Sequence, residues 1–172
     1  DFSELDYSFD YSGSVPGVDW VDYSIGLIYY DFPGTAAPAT TELYWGFSFD
    51  APLSPSVTVY HDIDEADGSY VSLGLGHSVE RIGELCGVPI GMELGASLGW
   101  GRSSYNKYYW GISGSKANDL TLSASFPFEV AGLTVVPSLN YVRLLSDSIR
   151  GTNAYNSDSD YFYAGIGFVK EF

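Results

Sequence analysis

Apolar and polar residues alternate with a period of two through nearly the whole chain, a pattern that suits strands and little else. In ELDYSFDYS, Leu5, Tyr7, Phe9 and Tyr11 share one face while Asp6, Ser8, Asp10 and Ser12 share the other. VDYSIGLIYY sets Val21, Tyr23, Ile25, Leu27 and Tyr29 against Asp22, Ser24, Gly26, Ile28 and Tyr30, and TELYWGFSF sets Leu43, Trp45, Phe47 and Phe49 against Glu42, Tyr44, Gly46 and Ser48. SVTVYHDI, YVSLGLGHSV, IGMELGASLGW, DLTLSASFPF, TVVPSLNYV and DYFYAGIGFVKEF continue the series. The reading is an all-β chain of about nine strands, and 172 residues suit a single domain over 1–172.

The connections predict how those strands are joined. GSVPGV, DAPLSP and EVAGLT are short and rich in turn formers, and ERIGELCGVP is intermediate. DFPGTAAPAT, GRSSYNKYYWGISGSKAN and LSDSIRGTNAYNSDS are long and polar, with DIDEADG a shorter member of that set. Short turns at one end and long loops at the other are the build of an antiparallel, up-and-down transmembrane β-barrel.

Composition narrows the classes. A formal net charge of -15 with only 7 lysines and arginines excludes a nucleic-acid partner of the usual basic kind. Acidic disordered chains are poor in aromatic residues, and this one is 17% aromatic. Cys86 stands alone, so no internal disulfide forms. No apolar run reaches the ~18 residues of a membrane-spanning helix, and no segment reads as a signal peptide, so an exported chain would already have lost its signal.

The content of the polar face separates a membrane sheet from a soluble sandwich, since both alternate. Here it is glycine, serine, tyrosine and carboxylate (Gly74, Gly76, Gly91, Glu93, Gly95, Ser97, Gly99), not the lysine and glutamate of a solvated surface. The expected lumen-facing set is Asp6, Asp10, Asp22, Glu42, Tyr44, Tyr60, Glu93, Asn140, Tyr161 and Tyr163, its acids bonding one another or pairing with Arg143 in a narrow lumen. Aromatic residues are expected at the rims: Trp20, Tyr29, Tyr30 and Phe32 at one, Trp100, Tyr105, Tyr108, Tyr109 and Trp110 near another strand end, and Phe47, Phe49, Phe126, Phe128 and Phe172 by the short turns.

The final stretch GIGFVKEF, with outward Phe168 and a terminal Phe172, resembles the carboxy-terminal signal of bacterial outer-membrane barrels, which the barrel-assembly machinery reads. Lys170 departs from that alternation at a position where its charge could reach the headgroups. More widely, SELDYSFDYSG, YSIGLIYYDFPG, TTELYWGFSFD, LSPSVTVYHDIDEADGSYVSLGLGHS and SLNYVRLL resemble a family of uncharacterised bacterial outer-membrane proteins, conserved hypothetical barrels of the Gcw_chp type. The resemblance implies a barrel in the bacterial outer membrane, in contact with its lipid, and names no activity. Family members begin with further strands that this sequence lacks. Nine strands are also an odd number where bacterial single-chain barrels are even, so the expectation is part of a barrel of about 10 to 12 strands, completed by an amino-terminal segment or another chain, with the alternative that the strand near Leu5 and the strand ending at Phe172 pair with each other and close a small barrel.

Chemistry-bearing patterns are few, and the expectation is no enzyme and no cofactor. His61 and His77 fall on the apolar faces of their strands, with neither metal-ligand spacing nor a nucleophile elbow nearby. Asp62, Asp64 and Asp67 form a weak candidate metal set, because an EF-hand order would need an acid at Ala66 and a glutamate at Leu73. Three functions follow: a passive pore or small-solute channel with an acidic lumen; a plugged structural or assembly barrel that binds a partner through its long loops; and a soluble secreted carbohydrate-binding domain stacking sugars on Trp45, Trp100 and Trp110.

Overall fold

The computed structural model describes residues 4–152 and 158–170. Ten strands form one antiparallel sheet: β1 (Leu5–Val15), β2 (Val18–Asp31), β3 (Thr40–Phe49), β4 (Ser56–Asp62), β5 (Gly68–Leu85), β6 (Val88–Gly101), β7 (Lys116–Ser125), β8 (Phe128–Val130), β9 (Leu133–Leu144) and β10 (Asp160–Val169). The order is β1-β2-β3-β4-β5-β6-β7-β9-β10, with β8 paired to β6 and β9. Because β7 and β8 share both neighbours, they occupy one position in the sheet, interrupted at Phe126 and Pro127 where proline has no N–H for the ladder. The nine positions match the sequence expectation; DLTLSASFPF, expected as one strand, is broken there.

Turns and loops alternate. The turn end carries residues 16–17, 50–55, 86–87 and 131–132, and the loop end carries 32–39, 63–67, 102–115 and the connection that follows β9. Cys86 with Gly87, and Ala131 with Gly132, all have positive φ, which matches the twist of a two-residue hairpin. ERIGELCGVP is therefore a hairpin with β5 running through Leu85, rather than the separate connection its composition suggests. Two helices sit in the loops, α1 (Ser103–Trp110) and α2 (Asp147–Arg150).

Register carries the alternation across the whole sheet. Asp10 stands opposite Gly26, Gly26 opposite Tyr44, Tyr44 opposite Tyr60, and Tyr60 opposite Tyr70; further along, Ser78 faces Glu93, Glu93 Ser125, Ser125 Ser138, and Asn140 Tyr163. One face is thus polar in every strand position. The other carries Phe9, Leu27, Trp45, Phe47, Leu73, Leu94, Leu122, Leu139, Phe162 and Phe168, all exposed, with Phe9 at 72% and Leu73 at 50%. Val21, Ala66 and Ile149 are the buried hydrophobic residues among those described. An antiparallel sheet in water hides its apolar face, and this sheet leaves its apolar face exposed.

Glycine and tyrosine work together on the polar face. The Tyr44 ring on β3 crosses Gly26 of β2 to donate its hydroxyl to Asp10 of β1 at 2.6 Å. Two elements on, Tyr70 of β5 crosses Gly99 of β6 and donates to Asp119 of β7 at 2.9 Å. A Cβ at either glycine would overlap the phenol. Each ring therefore clamps three neighbouring strands at once.

Closure is not made among the described residues. β1 pairs with β2 alone and β10 with β9 alone, so the expected alternative in which the first and last strands close the sheet on each other is corrected. Direction gives the reason: both strands run from the loop end to the turn end, and neighbours in this sheet are antiparallel. Phe172 lies outside the described residues, while Phe168 sits on the apolar face at 62% exposure.

Gly99→Ala should displace Tyr70 from Asp119 and lower stability by about 1 to 3 kcal/mol, as overpacking does. Gly76→Ala, where the nearest atom to a new Cβ is 3.8 Å away, is the control and should be close to neutral. Urea unfolding of both variants in detergent micelles checks the pair.

Candidate functional site

The loop end of the polar face holds a cavity of about 490 Å3 between β2, β3, β4, β5 and α1. Strand alternation puts Tyr30, Glu42, Tyr60 and Tyr70 into it, and α1 adds Tyr105 and Tyr109 from above. Helix position is fixed by Asn106, fully buried, whose Nδ2 donates to the carbonyls of Gly101 (3.0 Å) and Gly114 (2.9 Å). The rings form a series, with centroid separations of 5.7 Å for Tyr44 and Tyr60, 6.3 Å for Tyr60 and Tyr70, 5.3 Å for Tyr70 and Tyr105, and 4.4 Å for Tyr105 and Tyr109. Tyr30, Tyr105 and Tyr109, expected as rim aromatics, instead line this cavity. Trp20 is also corrected: it lies at the turn end against Phe49, their centroids 6.1 Å apart, whereas Tyr29, Tyr30 and Phe32 are at the loop end.

The register puts all ten expected lumen residues on this one polar face, from Asp6 opposite Tyr30 to Tyr161 opposite Val142. Four of their five acids accept from hydroxyls. Tyr30 donates to Glu42 (3.0 Å), Tyr44 to Asp10, Ser14 to Asp22 (2.7 Å) and Ser125 to Glu93 (3.0 Å). The ion pairs found among the described residues, His61–Asp67, Arg81–Glu84 and Arg150–Asp147, leave these carboxylates out. Arg143, expected to pair with lumen acids, shares its face with Tyr141 and Leu139 and stands opposite Leu120 and Asp160, on the apolar side.

Asp62, Asp64 and Asp67 are not gathered around one point, and no group of three acidic, histidine or cysteine side chains among the described residues is arranged to hold a metal. Asp62 is fully buried; its Oδ1 accepts the backbone N–H groups of Asp64, Glu65 and Ala66 at 2.9 to 3.1 Å, and its Oδ2 accepts the hydroxyls of Thr40 (2.8 Å) and Tyr109 (3.3 Å). It is the pin that folds the 63–67 loop against β3 and α1. Tyr109 is consequently pushed above the ordinary phenol range, by burial first, then by Tyr105 and the carboxylates of Asp62 and Glu42, and by its donation to Asp62.

On the apolar face, His61 Nδ1 shares a hydrogen bond with Ser69 Oγ at 3.0 Å, and its Nε2 lies 3.9 Å from Asp67. Sequence spacing did not bring Ser69 to notice, because the strand pairing that sets it opposite His61 is not local. Asp67 is 95% exposed at its side chain, so the imidazole is oriented by Ser69 rather than by a buried carboxylate. The tryptophans do not form one platform either: Trp45 and Trp100 lie in one register row with Val59 and Val71 between them, about 14 Å apart at three strand spacings, and Trp110 sits in α1.

No family model matches the chain, and no curated protein and no solved structure matches it. The likeness to Gcw_chp-type barrels stays a resemblance of strand and turn patterns, and the functional reading rests on geometry.

Asp62→Ala should cost about 2 to 4 kcal/mol by orphaning buried donors, and should open the 63–67 loop to protease. Asp64→Ala and Asp67→Ala should stay within about 0.5 kcal/mol of the parent, and calcium should leave all three midpoints unmoved. A separate test uses pH. A phenol raised in the folded state adds stability below its unfolded value of about 10 and loses it as pH rises through the folded value. Tyr109→Phe should therefore flatten the fall in stability above about pH 10.

Proposed function

We propose that this chain supplies nine strand positions of a transmembrane β-barrel in the bacterial outer membrane and works as a passive pore for small solutes, with an acidic lining that favours cations. The observation that carries the reading is the exposed apolar face: leucine, phenylalanine, valine and other apolar residues predominate on one face of the sheet, and serine, glycine, tyrosine and carboxylate on the other. An exposed apolar face of this extent calls for a covering, and lipid is the covering that accepts it without a matched surface. Strand length agrees, since β1, β2, β3, β5, β6, β7, β9 and β10 each have 10 or more residues, and a tilted membrane strand needs about 9 to 11.

In hydrocarbon the free edges of β1 and β10 need partners, because an unpaired backbone group costs several kcal/mol there. One strand running from the turn end to the loop end would be antiparallel to both and would bring the positions to an even number. An amino-terminal segment or another chain can provide it. Partner proteins in this reading are the assembly machinery, addressed by the outward aromatic residues of β10.

A plugged barrel is the second reading. It is favoured by the loop end, where α1 and its tyrosines cover the polar face and fill space that an open channel would leave to water.

Replacing Leu27, Phe47, Leu73 or Leu94 by arginine should each cost about 2 to 4 kcal/mol in a bilayer host, measured as the shift in denaturant midpoint in vesicles. In planar bilayers the folded protein should conduct cations in preference to anions, and Glu42→Gln with Glu93→Gln should lower that preference. A folded, membrane-inserted protein without conductance would leave the plugged reading.

A further inference from the structure

The cavity at the loop end has a composition that selects a ligand class. Tyr60, Tyr70, Tyr105 and Tyr109 form a wall of phenol rings, each tilted by 36° to 53° from the next, with Glu42 beside them and 8% exposed. Among the described residues the lining contains two carboxylates, Glu4 and Glu42, and no lysine, arginine or histidine. Three of its phenol hydroxyls already donate hydrogen bonds, Tyr30 to Glu42, Tyr70 to Asp119 and Tyr109 to Asp62. The cavity therefore offers ring faces and negative charge, and few free donors.

A sugar would find stacking surface and acceptors for its hydroxyls, but it carries no charge to meet the two carboxylates. A small inorganic cation would have to trade hydration for ring faces that supply few oxygens. An alkylated ammonium group carries its charge over a greasy surface and is attracted by both the ring quadrupoles and the carboxylate. We propose that this cavity binds a small organic cation, an alkylammonium or quaternary ammonium head, held by the faces of Tyr60, Tyr70, Tyr105 and Tyr109 and by the Glu42 carboxylate. The site goes beyond the pore reading, because it lies on the polar face and needs nothing from whatever covers the apolar one.

The test is titration calorimetry on the full chain refolded in detergent micelles. The probes are choline, its neutral isostere 3,3-dimethylbutan-1-ol, and potassium chloride as competitor. Saturable choline binding is expected, with the isostere at least about tenfold weaker and potassium failing to compete beyond its ionic-strength effect. Glu42→Gln and Tyr60→Leu should each weaken choline about tenfold while Tyr60→Phe keeps it, with far-UV circular dichroism showing each variant folded. Should Glu42→Gln fail to fold, the contrast between Tyr60→Leu and Tyr60→Phe decides alone. Absence of saturable choline binding, equal binding of the neutral isostere, displacement by potassium at matched concentration, or indifference of choline to loss of the Tyr60 ring would each overturn the proposal.

Discussion

Apolar side chains, leucine, phenylalanine and valine foremost, predominate on one face of this sheet, and the backbone that carries them has few buried apolar residues to lean on. Hydrophobic burial, the dominant favourable term for a soluble domain, is almost missing within the described chain, where Val21, Ala66 and Ile149 are the buried hydrophobic residues. The free energy that holds such a sheet has to come from its ladder of backbone bonds, from its polar face, and from an apolar surrounding that receives the other face. Lipid supplies the last of these in the reading proposed above.

The polar face is built to do more than tolerate an interior. Tyrosine hydroxyls that cross glycine backbones tie strands two positions apart, and the bonds end on carboxylates rather than on neutral acceptors, which strengthens each of them. Ordinary ion pairing would neutralise those carboxylates. Donation from tyrosine, serine and threonine holds them in place and leaves the charge, so one set of contacts both fixes the sheet and makes its lining electronegative. The same chemistry at the loop end, where α1 lowers two further rings onto the sheet, creates the organic-cation cavity.

Much of this is legible in the sequence. Alternation grouped the ten residues on one face, because a period of two assigns a face wherever a strand is continuous. What the alternation missed was non-local. Asp62 reads as a metal-ligand candidate in DIDEADG, yet it is used up on three backbone N–H groups and two hydroxyls, one of which arrives from a helix 47 residues away. Tyr105 and Tyr109 read as rim residues because nothing local says that GRSSYNKYYW folds back over β5. Arg143 was matched to the acids by charge alone, and its register puts it on the other face.

Accessibility scanning along β5 tests the central claim most directly. With Cys86 replaced by serine, single nitroxide-labelled cysteines at Val71, Ser72, Leu73, Gly74 and Leu75 would be read in lipid vesicles against oxygen, which concentrates in hydrocarbon, and a water-soluble nickel chelate. The account predicts strict alternation, with 71, 73 and 75 favouring oxygen and 72 and 74 shielded from it. Equal exposure of all five positions to the nickel chelate, or an alternation of opposite phase, would contradict it.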